Sequence, residues 1–129
     1  MHRDIHTNNI MYSNKGYTKI LKIIDFGYAL TIMPEESIPR RFGNPLYSSP
    51  QVFLNHKYSE KCDIWSIGMI LYQLFHLYGA FLHNTAYNYK EQIEKTRFNY
   101  EFFNYLTISN ISKTFLVKML TYEDELRPS

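Results

Sequence analysis

Three oxygen-bearing side chains near the start of the chain stand where they could act together: Asp4, Asn9 and Asp25. Asp4 follows His2-Arg3, and Asn9 lies five positions further on. Asp25 opens Asp25-Phe26-Gly27, directly behind the apolar run Ile20-Leu21-Lys22-Ile23-Ile24. The residues between have to bring them together. Ile10 to Ser13 and Thr18 to Ile24 read as two short strands, joined by a turn at Asn14-Lys15-Gly16 in which glycine supplies positive φ. Such a hairpin sets Asn9 and Asp25 at adjacent strand ends, so two oxygen ligands distant in sequence converge on one spot. Alone, a loop Asp is more simply read as bonding its own backbone; the grouping is what points to chemistry. His2 and His6 are four apart, a spacing that could suggest a metal pair. The zinc-protease pattern needs Glu after the first His, and Arg3 stands there, so zinc is set aside.

Composition narrows the classes. The 129 residues suggest one domain, and a hydrophobic share of 45% is enough to bury a core. A net charge of +2, with Lys and Arg scattered, does not indicate nucleic acid or an anionic membrane surface. The 12 Tyr and 9 Phe are read as core and half-buried surface. The single cysteine, Cys62, allows no disulfide within the chain and fits a reducing compartment, so a cytoplasmic location is expected. No basic and apolar leader follows Met1. The longest apolar run, about Ile64 to Phe75, is too short to span a membrane and reads as a buried helix.

Residues 28 to 48 have no clean periodicity, and Pro34, Pro39, Pro45 and Gly43 break any helix, so a long loop is expected. Ser49 can cap a short helix with Pro50 in its first position. Lys61 to Tyr78 is apolar on nearly every face and is expected to be a buried helix, begun by Ser59 or Asp63 and ended by Gly79. Ala86 to Thr96 is a more charged helical stretch, with Glu91 and Lys95 as an i,i+4 pair. Ser109 can cap a helix running to about Leu120, with Ile111, Phe115 and Met119 on one face.

His2-Arg3-Asp4 with Asn9, followed by Asp25-Phe26-Gly27, resembles the H-R-D-x-x-x-x-N and D-F-G loops of eukaryotic protein kinases. Later stretches resemble further landmarks of that family in the same order. Gly43 to Gln51 is similar to the G-T-P-x-Y-x-A-P-E segment, Asp63-Ile64-Trp65-Ser66-Ile67-Gly68 to D-x-W-S-x-G, and Leu126-Arg127-Pro128-Ser129 to x-R-P-[ST]. The resemblance covers the whole chain. It implies a partial protein kinase domain over residues 1–129, of mainly α, C-lobe-like fold, with a small β-hairpin carrying the catalytic and metal-binding loops. It also implies that the N-lobe and the last helix are absent and that Met1 is an internal position, so that a fragment inactive alone is expected, one that needs the N-lobe of the full-length kinase.

By resemblance, Asp4 is the catalytic aspartate that accepts a substrate hydroxyl proton, and Asn9 and Asp25 hold Mg²⁺ against ATP. Arg3 would bind a phosphate on the following loop, where Thr31 and Ser37 are the hydroxyls, or a carboxylate such as Glu35 or Glu36. Asp63 would tie the catalytic loop to the central helix. Serine/threonine rather than tyrosine specificity is implied, with protein hydroxyls as substrate. Three positions depart from the family. His6 stands for the Lys that contacts the γ-phosphate, and Asn44 for the Thr that bonds both that Lys and the catalytic Asp; the two could rebuild a bond to Asp4. Gln51 stands for the Glu that pairs with Arg127, at a cost of about 1–3 kcal/mol unless another acid compensates. These departures favour the alternative, a pseudokinase or kinase-derived binding module. The intact Asp4, Asn9 and Asp25 oppose it.

Overall fold

The computed structural model describes residues 1–31, 42–76, 93 and 106–129. In chain order they form β1 (Ile10–Lys15), β2 (Thr18–Ile23), α1 (Pro50–Phe53), α2 (Lys61–His76) and α3 (Asn110–Met119), with single 3-10 turns at Thr7–Asn9, Pro45–Tyr47 and Asp124–Leu126.

β1 and β2 pair antiparallel, from Ile10 opposite Ile23 to Lys15 opposite Thr18. β1 runs two residues further than the sequence suggests and β2 ends one residue sooner, and a two-residue loop, Gly16-Tyr17, remains. Gly16 takes it at a φ of +62°, where a side chain would be strained. β2 is exposed along its whole length. What the hairpin contributes is position. At its open end the Ile24 amide donates to the Asn9 carbonyl at 2.9 Å, so the segments that hold Asn9 and Asp25 leave the sheet side by side.

The helices form the core. Ser49 caps α1 by accepting from the Val52 amide, and Pro50 occupies its first position, as the sequence predicts. Ser59 Oγ accepts from the Lys61 amide at 3.3 Å at the start of α2, while Asp63 turns its carboxylate elsewhere. From α2, Trp65, Met69 and Tyr72 pack with Phe53, Ile93, Leu106, Leu116 and Leu120. α2 meets the end of α3 at Gly68. A Cβ there would lie 2.9 Å from Leu120 Cδ2 and 3.0 Å from Met119 Cβ, so a missing side chain is what lets them touch. Burial is not all round: Leu74 and Phe75, in the last described turn of α2, are exposed.

Arg127 closes this body beneath Trp65, its guanidinium 5.0 Å from the indole centroid and only 2% of the residue exposed. Nε donates to the Thr121 carbonyl at 2.7 Å, and Nη2 donates to Gln51 Oε1 at 2.7 Å and to the Tyr122 carbonyl at 2.8 Å. Gln51 Nε2 donates to that same Tyr122 carbonyl. The amide at position 51 therefore accepts on one side and donates on the other, which an ionised carboxylate cannot do.

Three expectations need correction or fall outside the described residues. Ser109 does cap α3, accepting from the Ser112 amide, but the buried face is not Ile111-Phe115-Met119. Ile111 is 84% exposed and Phe115 51% exposed, whereas Leu116, Met119 and Leu120 are buried. Both sets satisfy helical spacing, and contact with Gly68 selects the second. The expected helix 86–96 lies outside the described residues apart from Ile93, which is helical and fully buried. The expected class, a mainly α C-lobe with a small β-hairpin and with the N-lobe and last helix absent, is not retained, although the hairpin itself is present. A two-stranded antiparallel sheet stands beside the helices, exposed rather than absorbed into a helical body, and the described residues are an α+β assembly. The expected class rested on the resemblance of successive motifs to family landmarks, which orders segments along the chain without fixing the fold around them.

The displaced face of α3 has a direct consequence. Leu116→Ala is expected to lower unfolding stability by about 2–5 kcal/mol, and Ile111→Ala to stay within about 0.5 kcal/mol, both read from urea midpoints.

Candidate active site

The chain's first residues are held by a carboxylate on α2. Asp63 Oδ2 accepts from the His2 amide at 2.6 Å, and Oδ1 accepts from the Arg3 amide at 2.8 Å. Arg3 has a φ of +70°. That left-handed conformation costs a side-chain-bearing residue roughly 1–2 kcal/mol, while hydrogen bonds to a charged acceptor contribute about 1.5–3 kcal/mol each. The two bonds therefore outweigh the strain they impose. On the other side, the His2 ring lies edge-on to Phe26, and its Nε2 is 3.1 Å from the Ile24 carbonyl. Met1 and Leu30 exchange backbone bonds of 2.9 and 3.0 Å. The segment around Asp4 is thus clamped between α2 and the residues flanking Asp25.

Asp4 is fixed at both carboxylate oxygens. Oδ1 accepts from the Asn44 amide at 2.9 Å, and Oδ2 lies 3.3 Å from Asn9 Nδ2, which also donates to the Asp4 carbonyl at 2.9 Å. With its nitrogen so engaged, buried Asn9 keeps its Oδ1 without a hydrogen-bond partner among the described residues. Asp25 follows the end of β2 at a φ of +62°, exposed, with Oδ1 accepting from the Gly27 amide at 3.2 Å. Asn9 Oδ1 and the Asp25 carboxylate are hard oxygen donors of the kind Mg²⁺ takes, and in number they suit an ion that draws its other ligands from phosphate and water.

His6 and Asn44, the two of the three departing residues that lie beside Asp4, behave differently from one another. His6 Nδ1 accepts from the Asn8 amide at 3.3 Å, which in a neutral ring leaves the proton on Nε2. Nε2 lies 3.6 Å from Asp4 Oδ1, facing it but beyond a hydrogen bond. The Asn44 side chain does not reach Asp4. Its Oδ1 caps the 3-10 turn by accepting from the Leu46 amide at 3.0 Å, and only its backbone N–H holds the carboxylate. Gly43, at a φ of +76°, makes this approach possible: a Cβ there would lie 2.5 Å from the Arg3 carbonyl oxygen and 2.7 Å from Asp4 Oδ1.

Arg3 Nε donates to the Tyr28 carbonyl, and the guanidinium lies 4.3 Å from the Phe42 ring centroid. Thr31 is exposed, while Ser37, Glu35 and Glu36 lie outside the described residues. Tyr28, Phe42 and Gly43 are contacts the sequence reading missed. Only Gly43 carried a signal, a glycine directly before the position-44 departure. Beside Asp63, burial pushes the Cys62 thiol far up, and the neighbouring carboxylate adds to the effect.

The sequence model of the protein kinase domain family matches residues 1–129. The chain belongs to the protein kinase family. It is of the serine/threonine type. The match spans the whole chain, and together with the antiparallel sheet it overturns the assignment to a C-lobe with the N-lobe absent. The chain is similar to serine/threonine-protein kinase ATG1a of Arabidopsis thaliana, with 45% identity over 57% of this chain and 12% of that protein. It is also similar to calcium-dependent protein kinase 4 of Plasmodium falciparum (isolate 3D7), 33% identical over 100% of this chain and 24% of that protein. Calcium-dependent protein kinase 6 of Plasmodium berghei (strain Anka) is 38% identical over 98% of this chain and 8% of that protein. This kinase-family chain thus spans about a quarter or less of the length of these curated relatives.

Two outcomes follow from the geometry. Gly43→Ala is expected to lower stability by about 1–3 kcal/mol and to broaden the Asn44 amide signal in NMR spectra, because a Cβ would displace Asp4. For Cys62 the thiol's value is raised in the fold, so its stabilising contribution is complete below the free-thiol value of about 8.5 and is lost as pH rises above it. Urea midpoints measured across that range should fall more steeply for the native chain than for Cys62→Ala, and a thiol reagent at pH 8 should label Cys62 only in denaturant.

Proposed function

We propose that this chain carries the phosphotransfer site of a serine/threonine protein kinase, which moves the γ-phosphate of ATP to a hydroxyl of a protein substrate. One observation supports this above the others: the Asp4 carboxylate and the Asn9 amide are locked together, with Asn9 Oδ1 left over, at the sheet end where Asp25 emerges. In this reading Asp4 accepts the hydroxyl proton and aims that oxygen along the line of attack. Asn9 and Asp25 would hold Mg²⁺, which when bound offsets negative charge on the ATP phosphates. Arg3 acts in regulation as a receiver of negative charge from the following loop, where Thr31 and Ser37 are the candidate hydroxyls. We place this activity in the cytoplasm.

A second reading, a pseudokinase or non-catalytic binding module, is favoured by one feature. His6 places an imidazole 3.6 Å from Asp4 where the family's Lys would bring a long-reaching ammonium to the γ-phosphate. The two readings part on measured turnover. In the full-length protein that carries these residues, Asp4→Asn is expected to lower transfer from labelled ATP to a Ser/Thr peptide by about 10²–10⁴-fold. Equal rates for variant and parent would sink the catalytic reading. The double change His6→Lys with Asn44→Thr is expected to raise turnover, and no gain would remove His6 as the limiting feature.

A further inference from the structure

Tyr47 stands between α2 and the loop that carries Asp4, and touches both. Its hydroxyl donates to Gln73 Oε1 on α2 at 2.9 Å and lies 3.5 Å from Thr7 Oγ1, in the 3-10 turn just after His6. A phenol donates once and can still accept, so Gln73 taking the proton leaves Thr7 free to donate in return. The Tyr47 carbonyl accepts from Ser66 Oγ at 2.8 Å, a second tie to α2, about two turns of the helix before the first. Its amide donates to the Asn44 carbonyl at 3.1 Å, closing the turn whose cap residue holds Asp4 Oδ1. Its ring faces the His6 imidazole, with centroids 5.9 Å apart and planes inclined by 36°, within the range in which aromatic rings attract. Both groups that face Asp4 Oδ1, the Asn44 amide and the His6 ring, therefore rest against Tyr47.

We propose that Tyr47, held by Gln73, is a positioning residue for Asp4: the Tyr47–Gln73 hydrogen bond transmits the rigid frame of α2 to the Asn44 turn and to the His6 ring, and through them sets the direction of the Asp4 carboxylate. The effect on rate rests on the kinase reading above. The effect on His6 does not. Gln73 supplies this bond with a neutral amide oxygen, and a carboxylate oxygen at the same place would accept the same proton. An apolar residue would not.

The test uses Tyr47→Phe, Gln73→Leu and Gln73→Glu in the full-length protein, with two readouts: steady-state phosphotransfer and the ring-nitrogen NMR shifts of His6. Tyr47→Phe and Gln73→Leu are each expected to lower kcat about three- to tenfold, with KM for ATP within about twofold of the parent. The double variant is expected to be no slower than the worse single one, because both remove one bond. Gln73→Glu is expected to keep the parental kcat. His6 ring-nitrogen signals should move in Tyr47→Phe and Gln73→Leu and stay in place in Gln73→Glu. Unchanged kcat in both single variants, additive losses in the double variant, or a loss confined to KM would overturn the proposal. If the parent transfers no phosphate, the kinase reading falls by itself. His6 signals then decide the positioning role alone, and signals unmoved by Gln73→Leu overturn it.

Discussion

The carboxylate of Asp63 is the interaction on which the site depends. It sits in the first turn of α2, the longest of the described helices, and accepts from two successive backbone amides, those of His2 and Arg3. A pair of bonds to one charged group fixes both position and direction, because the two oxygens set the line along which the loop leaves the helix. Arg3 can then stay in a left-handed conformation that would relax if released. Asp4, one residue further, inherits that placement. The precision of the Asp4 carboxylate is in this sense borrowed from the packing of Trp65, Met69 and Tyr72 a few positions along the same helix.

Much of the local structure was legible because it rests on local rules. Ser49 and Pro50 begin α1, Ser109 begins α3, and Gly16 turns the hairpin, each for a reason contained in one or two residues. What was not legible depends on partners far away in sequence. The face of α3 is one case, since Ile111-Phe115-Met119 and Leu116-Met119-Leu120 are equally good helical patterns until Gly68 presents itself opposite. The fold class is another. The hairpin was legible from its two short strands and Gly16, but the class assigned around it came from resemblance of separate motifs, which says little about how the segments assemble.

In the candidate site, Asp4, Asn9 and Asp25 could be singled out by type and spacing, and the hairpin explains how the last two come near each other. The manner in which Asp4 is held could not be read in the same way. Its partners are a backbone amide, an amide side chain and a ring that faces it without bonding it. Gln51 shows the same limitation. Sequence comparison with the family makes it a lost charge, whereas the structure shows an amide using its acceptor on Arg127 and its donor on Tyr122.

The bond from Asn44 to Asp4 carries a wider meaning. It is made by the main chain, and every amino acid except proline brings the same N–H to that point. The side chain at position 44 is therefore released from the duty of holding the acid and is free to serve the turn instead. Substitutions there can accumulate over evolution without loosening the carboxylate, provided Gly43 stays small. Selection for the geometry of Asp4 would leave its mark on the glycine rather than on its neighbour, and a departure at position 44 is poor evidence that such a site has decayed.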